Sequence, residues 1–135
     1  MQEQQPKSVF GLEPNVAAGL AYLPVCLIHF IVSIGILAAD KTNKLCRFHA
    51  VQSLMISASI FVGYIVMFIL AALIMVIAGA ADVPAFAFLG ILVYIVFIVY
   101  VLAMFVGLII SMINGFQGKI FKLPVLGNLA DKWSN

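Results

Sequence analysis

The chain has 135 residues, 65% of them hydrophobic and only 9% charged, with a mean hydropathy of +1.22, which lies outside the range of ordinary soluble domains. That length allows one compact membrane domain and no separate soluble catalytic domain. A formal charge of +2 without a basic stripe gives no argument for nucleic-acid binding.

Three apolar runs, residues 16–39, 54–81 and 84–113, hold no Lys, Arg, Asp or Glu. Each exceeds the roughly 20 residues that a helix needs to cross the hydrocarbon core. The expected fold is all-α: a polytopic membrane protein with three transmembrane helices and a short C-terminal interfacial helix. An extramembrane segment 1–15 precedes a transmembrane domain 16–113, with helices at about 16–39, 50–81 and 84–113, and an amphipathic cytoplasmic tail 114–135 follows.

The first run reads as a retained helix, not a cleaved signal. Lys7 is offset by Glu3 and Glu13, the apolar stretch is longer than a signal core, and Asp40 follows directly. Pro24 should kink it by removing a backbone hydrogen bond. Cys26 reads as a small buried hydrophobe. His29 and Ser33 share a face, and an ionisable group at this depth should face protein or a water-filled space. It serves either as a hydrogen-bonded strut or in proton relay or substrate contact. Gly35 and Ala39 form a weak small-residue pair.

Asp40, Thr42 or Asn43 can cap the second helix. At 100° per residue His49, Gln52, Ser53, Ser57, Ser59 and Gly63 occupy one side of it, with Arg47 pointing away toward headgroups or Asp40. This polar wedge is either a ligand or partner site, formed by Asp40, Lys44, Arg47, His49, Gln52, Ser53 and Ser57, or an internal seam locking the helices together. Cys46 lies beside basic residues, and a disulfide to Cys26 would need one cysteine to leave the membrane interior. The short turn 79–84, with a cap at Asp82 and Pro84 near the next start, predicts an antiparallel helix pair. Ala103, Gly107, Ser111 and Gly115 then follow at four-residue spacing, a stripe suited either to packing within the chain or to a homo-oligomer contact.

In the tail, Leu126, Leu129 and Trp133 share a helical face after Pro124, and with Lys122 they form an expected interfacial anchor. Basic residues cluster at 41–47 and 119–132, so both segments are expected in the cytoplasm, and three crossings would put the N-terminus outside. No P-loop, dinucleotide fingerprint, zinc spacing or nucleophile elbow occurs. His49 could pair with Cys46 across one turn, but no third orienting group follows. The chain is therefore read as a non-enzyme without metal or cofactor.

Phe48-His49-Ala50-Val51-Gln52-Ser53 resembles a signature of the Tic20-like, DUF4870 family of small membrane proteins. The resemblance continues in 11–15, from Asp40-Lys41 to Arg47, and in 122–127, covering roughly residues 11–131. It implies kinship with a chloroplast inner-envelope import component and with magnetosome membrane proteins implicated in crystal maturation. Two readings follow from it: a translocon-like or channel component, and an organising or scaffolding role. A departure is that the import component has four crossings and this chain offers three. The expected function is a non-enzymatic role in membrane assembly, organisation or scaffolding in a bacterial cytoplasmic (inner) membrane. The alternatives are a small transport component lined by His29, His49, Gln52 and the helix-2 serines, and a lipid- or ligand-binding module. Expected partners are membrane lipids, a second copy of the chain, and a protein at the cytoplasmic loop and tail.

Overall fold

A computed structural model describes residues 7–8, 11–24, 27–81 and 85–134. Among them lie five helices: α1 Pro14–Leu20, α2 Ile28–Ala39, α3 Lys44–Ala81, α4 Ala85–Phe116 and α5 Leu126–Trp133. The chain divides into two compact units, Met1–Ser57 with Val106–Asn135, and Ala58–Phe105. Helices α3 and α4 contribute to both, and they alone among the described helices are long and apolar enough to cross a membrane.

The first apolar run is not one helix. Pro14 opens α1, where its missing N–H costs nothing, and α1 stops at Leu20. Tyr22 N and Leu23 N then bond back to Gly19 O and Leu20 O, tightening the last turn before Pro24. Ser33 Oγ donates to Ala21 O at 3.4 Å, while Ala17 clusters with Ile36, Cys46 and Ala50. As the α1 number rises the α2 number falls, so the two form an antiparallel hairpin. Twelve residues of α2 rise about 18 Å and seven of α1 about 10 Å, both short of the roughly 30 Å core.

The expected continuous helix 16–39, kinked at Pro24, is thus corrected to a break with reversal of direction. A helix end inside an apolar layer needs its free carbonyls satisfied. Ala21 O meets that need by accepting hydroxyls from both Ser33 and Ser53. Pro14 lies beside Cys46, whose Sγ donates to Pro14 O at 3.3 Å, and Asn15 Nδ2 donates to Phe116 O at 3.2 Å. The start of α1 therefore sits at the same end of this unit as the start of α3 and the end of α4. Cys46 is a free thiol; Cys26 lies outside the described residues, as do Asp82 and Pro84.

Capping sets the α2–α3 connection. Asp40 Oδ1 accepts from Asn43 N at 3.1 Å and Thr42 N at 3.4 Å, and Asn43 Oδ1 accepts from Cys46 N at 3.3 Å. Asn43 is the N-cap, and α3 starts at Lys44, ahead of the expected 50. Arg47 Nη1 closes the corner on Asp40 O at 3.0 Å. Helix α4 runs three residues past the expected 113 to a left-handed Gly118 (φ +69°), with Lys119 N on Asn114 O and Gly118 N on Gly115 O. This paired C-cap suits glycine because no Cβ opposes the positive φ.

The tail then folds back along α4. A Cβ on Gly107 would lie 3.1 Å from Leu123 Cδ2, and Gly107 is nine residues, about 13 Å of rise, before Phe116. Val125 makes the reversal into α5 at φ 65°, ψ −62°, with Leu126 N bonded to Pro124 O at 2.8 Å, a γ-turn that a β-branched residue enters under strain. Replacing Val125 by glycine is expected to raise unfolding stability by about 1 kcal/mol. Chemical denaturation in detergent measures it, and an unchanged or lower midpoint would show that the turn carries no strain.

In the second unit, α3 and α4 meet at Tyr100. Its Oη lies 2.6 Å from Ser59 Oγ and donates to Ser59 O at 2.9 Å, and a Cβ on Gly63 would sit 2.8 Å from its ring. Small residues on α3 thus admit an aromatic from α4. The rest of this unit is apolar surface, exposed at residues such as Phe61, Val76 and Val96, as lipid-facing helices should be. Ala71, Ile74, Gly90 and Tyr94 line a shallow apolar groove of about 480 Å³ between the two helices.

Candidate functional site: a buried polar network

The polar wedge on α3 turns inward in the first unit. His49, Gln52 and Ser53 are buried, with Tyr22 and Ser33 from the hairpin and Ser111 from α4. Gln52 is the hub. Its Nε2 lies 3.1 Å from Tyr22 Oη, 3.0 Å from Ser111 Oγ and 3.1 Å from Phe121 O, and its Oε1 accepts from Leu123 N at 3.4 Å. Phe121 O can only accept and Leu123 N can only donate, so these two contacts fix the orientation of the amide. Gln52, on α3, thereby ties α4 and the turn after α1 to the backbone of the returning tail.

His49 continues the chain. Its Nε2 is 3.0 Å from Lys119 O and its Nδ1 is 3.0 Å from Tyr22 Oη. A carbonyl requires a donor, so Nε2 carries the hydrogen and Nδ1 accepts from the tyrosine hydroxyl. The order is Gln52 N–H to Tyr22 O–H to His49 Nδ1, then His49 Nε2–H to Lys119 O. Each buried polar group is spent on another, the condition under which such a network stabilises and specifies one packing. Tyr22 and His49 also meet edge to face at 5.5 Å, as do Phe48 and His49 at 5.2 Å.

Among the other residues singled out in the sequence, His29 Nε2 lies 3.0 Å from Ser57 Oγ and keeps partial exposure. Gly107, Ser111 and Gly115 are consumed by contacts within the chain; a Cβ on Gly115 would lie 3.0 Å from the Ala18 backbone. Ala103 is exposed, Gly35 half-buried, and Ser59 and Gly63 belong to the Tyr100 contact of the second unit. Arg47 spends Nε on Ser134 O at 3.0 Å besides its bond to Asp40 O. Asp40 is buried, Oδ1 capping while Oδ2 has no hydrogen-bond partner among the described residues. Among those residues no cluster of three His, Cys, Asp or Glu could hold a metal ion.

Three contributors carry no signature in the sequence reading: Tyr22, Tyr100 and the backbone of 119–123. The tyrosines had one available signal, that a buried phenol needs a partner for its hydroxyl. The backbone groups had none.

Residues 13–130, from the entry to α1 into the last turns of α5, match the magnetosome magnetite crystal formation protein family. The chain belongs to that family. The match encloses every member of the polar network. A UPF0132 membrane protein of Methanocaldococcus jannaschii is 32% identical over 130 residues, covering 95% of this chain and 94% of the relative. No solved structure matches. With α3 and α4, these relatives make the chain a small integral membrane protein.

At the polar end of this family member, Asp131 of α5 holds Lys122 at 2.9 Å and Lys44 at 3.7 Å. The hydrogen bond from Lys122 and the two positive charges hold its carboxyl below the usual range, against a smaller opposing effect of desolvation. The pair is solvent-exposed and contributes little to stability. Its effect is to fix where the last turn of α5 sits relative to the first turn of α3.

Proposed function

We propose that the protein is a non-enzymatic organising component of the membrane, a two-crossing module that positions a basic face for assembly. One observation carries this reading: the side chains that offered chemistry, His49, Gln52, Ser33, Ser53 and Ser111, are buried and bonded to one another or to backbone. A catalytic or conducting site would need such groups to face substrate or water. The family's association with magnetite crystal formation fits a role exerted through the membrane. An acidic mineral-binding surface has little to draw on, since the chain has only five acids, with Asp40 engaged in capping and Asp131 held by lysines.

The orientation belongs to the same proposal. Basic residues at 41–47 and 119–132 favour the cytoplasmic side. With α1 and α2 folded as a hairpin, Pro14 accompanies them, so the N-terminal segment is cytoplasmic too, in a two-crossing topology in place of three. The narrower Tic20-like kinship supports a second reading as a transport component. The observation favouring it is His29, a part-buried ionisable group beside Ser57.

Cysteine accessibility in a background of Cys26→Ser and Cys46→Ala separates these readings. In sealed vesicles, Lys7→Cys and Lys132→Cys are expected to react with an impermeant maleimide from the same side, whereas Ser33→Cys, Ser53→Cys and Ser57→Cys stay unlabelled. Labelling of the three serine positions would overturn the organising reading in favour of a hydrated path. Labelling of Lys7→Cys and Lys132→Cys from opposite sides would restore three crossings. Native mass spectrometry from nanodiscs is expected to show a homo-oligomer, the state an organising component needs.

A further inference from the structure

Helix α5 packs with one side and leaves the other bare. Gly127 and Ala130 are buried, Ala130 in a cluster with Phe48 and Val51 of α3. Leu129 and Trp133, four residues apart on the helix and therefore on one stripe, are 40% and 64% exposed, and Val125, in the turn that opens the helix, is 71% exposed. Three large apolar side chains facing water on this short helix and the turn before it would be costly. What lies outside this stripe follows from where α5 runs.

Its two ends are at different depths. Leu123, just before the γ-turn, packs at Gly107, about 13 Å of helix rise inward from the end of α4. At the other end, Asp131 reaches Lys44, the first residue of α3, and Ser134 O accepts from Arg47. Helix α5 therefore climbs outward along the flank of a membrane-crossing helix, with Val125 deepest and Trp133 level with the first turn of α3. That flank borders lipid, and Trp133 stands at the depth where an aromatic with a polar tip meets headgroups. The charge there is complementary to an anionic leaflet. Lys132 and Lys41 are exposed and form no ion pair among the described residues, and Lys44 lies close by.

We propose that Val125, Leu129 and Trp133 dock on the cytoplasmic leaflet and select anionic phospholipid, with acyl chains against Val125 and Leu129 and headgroup phosphates held by Lys132, next to Trp133, and by Lys41 of the α2–α3 connection. The proposal deepens the organising reading by naming the lipid class, and it rests on that reading only for the membrane-inserted architecture.

Trp133 is the sole tryptophan, so the unaltered full chain carries its own probe. The protein is reconstituted in phosphatidylcholine vesicles containing phosphatidylglycerol, with bromine placed near the headgroup or near the chain end of either lipid. Trp133 is expected to be quenched more by shallow than by deep bromine. Bromine on phosphatidylglycerol is expected to quench about twofold more than an equal mole fraction on phosphatidylcholine, an excess lost in roughly 1 M salt. The double substitution Lys41→Gln, Lys132→Gln should remove that excess and keep the quenching by neutral lipid. Moving the probe inward, with Leu129→Trp in a Trp133→Phe background, should shift the preference toward deep bromine.

Absence of quenching in a chain that still floats with the vesicles would overturn the proposal. So would equal quenching from both headgroups, which would remove the lipid selectivity. Quenching that fades as the protein-to-lipid ratio rises would assign the stripe to a second copy instead. Loss of quenching or of headgroup selectivity leaves the serine labelling and the native masses untouched, and a second copy on the stripe would agree with the expected homo-oligomer, so the two readings can fail separately.

Discussion

Replacing Gln52 with leucine lowers unfolding stability by about 3–5 kcal/mol, the largest loss expected from any single polar substitution in this chain. Leucine matches the glutamine roughly in size but strands Phe121 O, Leu123 N and Ser111 Oγ without the partners they have now. A buried polar atom left alone costs about 1–3 kcal/mol, and these three are stranded together. Tyr22→Phe removes one hydroxyl while Gln52 keeps its other partners, so its cost should be about 1–2 kcal/mol. Thermal unfolding in mild detergent measures both. Trypsin should then cut the Gln52→Leu variant faster after Lys119 and Lys122, since the 121–123 backbone has lost its bonds to α3. A Gln52→Leu protein within about 0.5 kcal/mol of the parent would mean that the network contributes nothing to folding.

Gly127→Ala is expected to cost about 3 kcal/mol or more and to release the tail. A Cβ there would stand 2.5 Å from Lys122 Cα and 2.6 Å from Lys122 C, both backbone atoms that cannot swing aside. Because α5 is held at this crossing, the visible result should be a changed Trp133 emission together with nearly unchanged helix content. Gly115→Ala should be milder, since its nearest backbone neighbours in α1 lie 3.0 Å away. Gly19→Ala meets only the Phe116 ring, on a half-exposed side chain that can turn. Gly79→Ala has nothing within 4 Å of the new Cβ and serves as the control, neutral or stabilising by up to about 1 kcal/mol from helix propensity. If Gly127→Ala unfolds no more readily than Gly79→Ala, the close packing of α5 on Lys122 is not present in solution.

The contrast between α1–α2 and the two long helices shows what hydropathy encodes. The runs at 54–81 and 84–113 correspond to α3 and α4, because a long apolar segment in lipid can satisfy its backbone only as a helix. The run at 16–39 obeys the same rule yet reverses direction, because Ser33 and Ser53 cover Ala21 O at the break. Pro24 was the visible sign, but a proline alone does not distinguish a kink from a reversal. The start of α3 is hidden from a hydropathy reading because Lys44, Arg47, His49, Gln52 and Ser53 interrupt its first turns, although Asn43 is among the candidate caps. The wedge of His49, Gln52 and Ser53 was legible from its shared face, and of its two readings, ligand site or internal seam, the hydrogen bonds favour the seam. Tyr22 and the 119–123 backbone were illegible because they join the site through long-range folding, as contacts some 30 to 70 residues apart.

The bond from Asn15 to Phe116 spans 101 residues. At the usual pace of translation, about 5–20 residues per second, the ribosome needs roughly 5–20 s to supply the second partner after the first. For most of that interval the α1–α2 hairpin has been made but has neither α4 nor the tail to close over it. Gln52 and the Nε2 of His49 would face the membrane with part of their hydrogen bonding unmet, since Ser111, Lys119 O, Phe121 O and Leu123 N are made last. Biogenesis of this small protein is therefore expected to depend on a helper that shelters the early helices until α4 arrives. Slowing synthesis between codons 40 and 115 should lengthen its dependence on that helper and leave the finished fold unchanged.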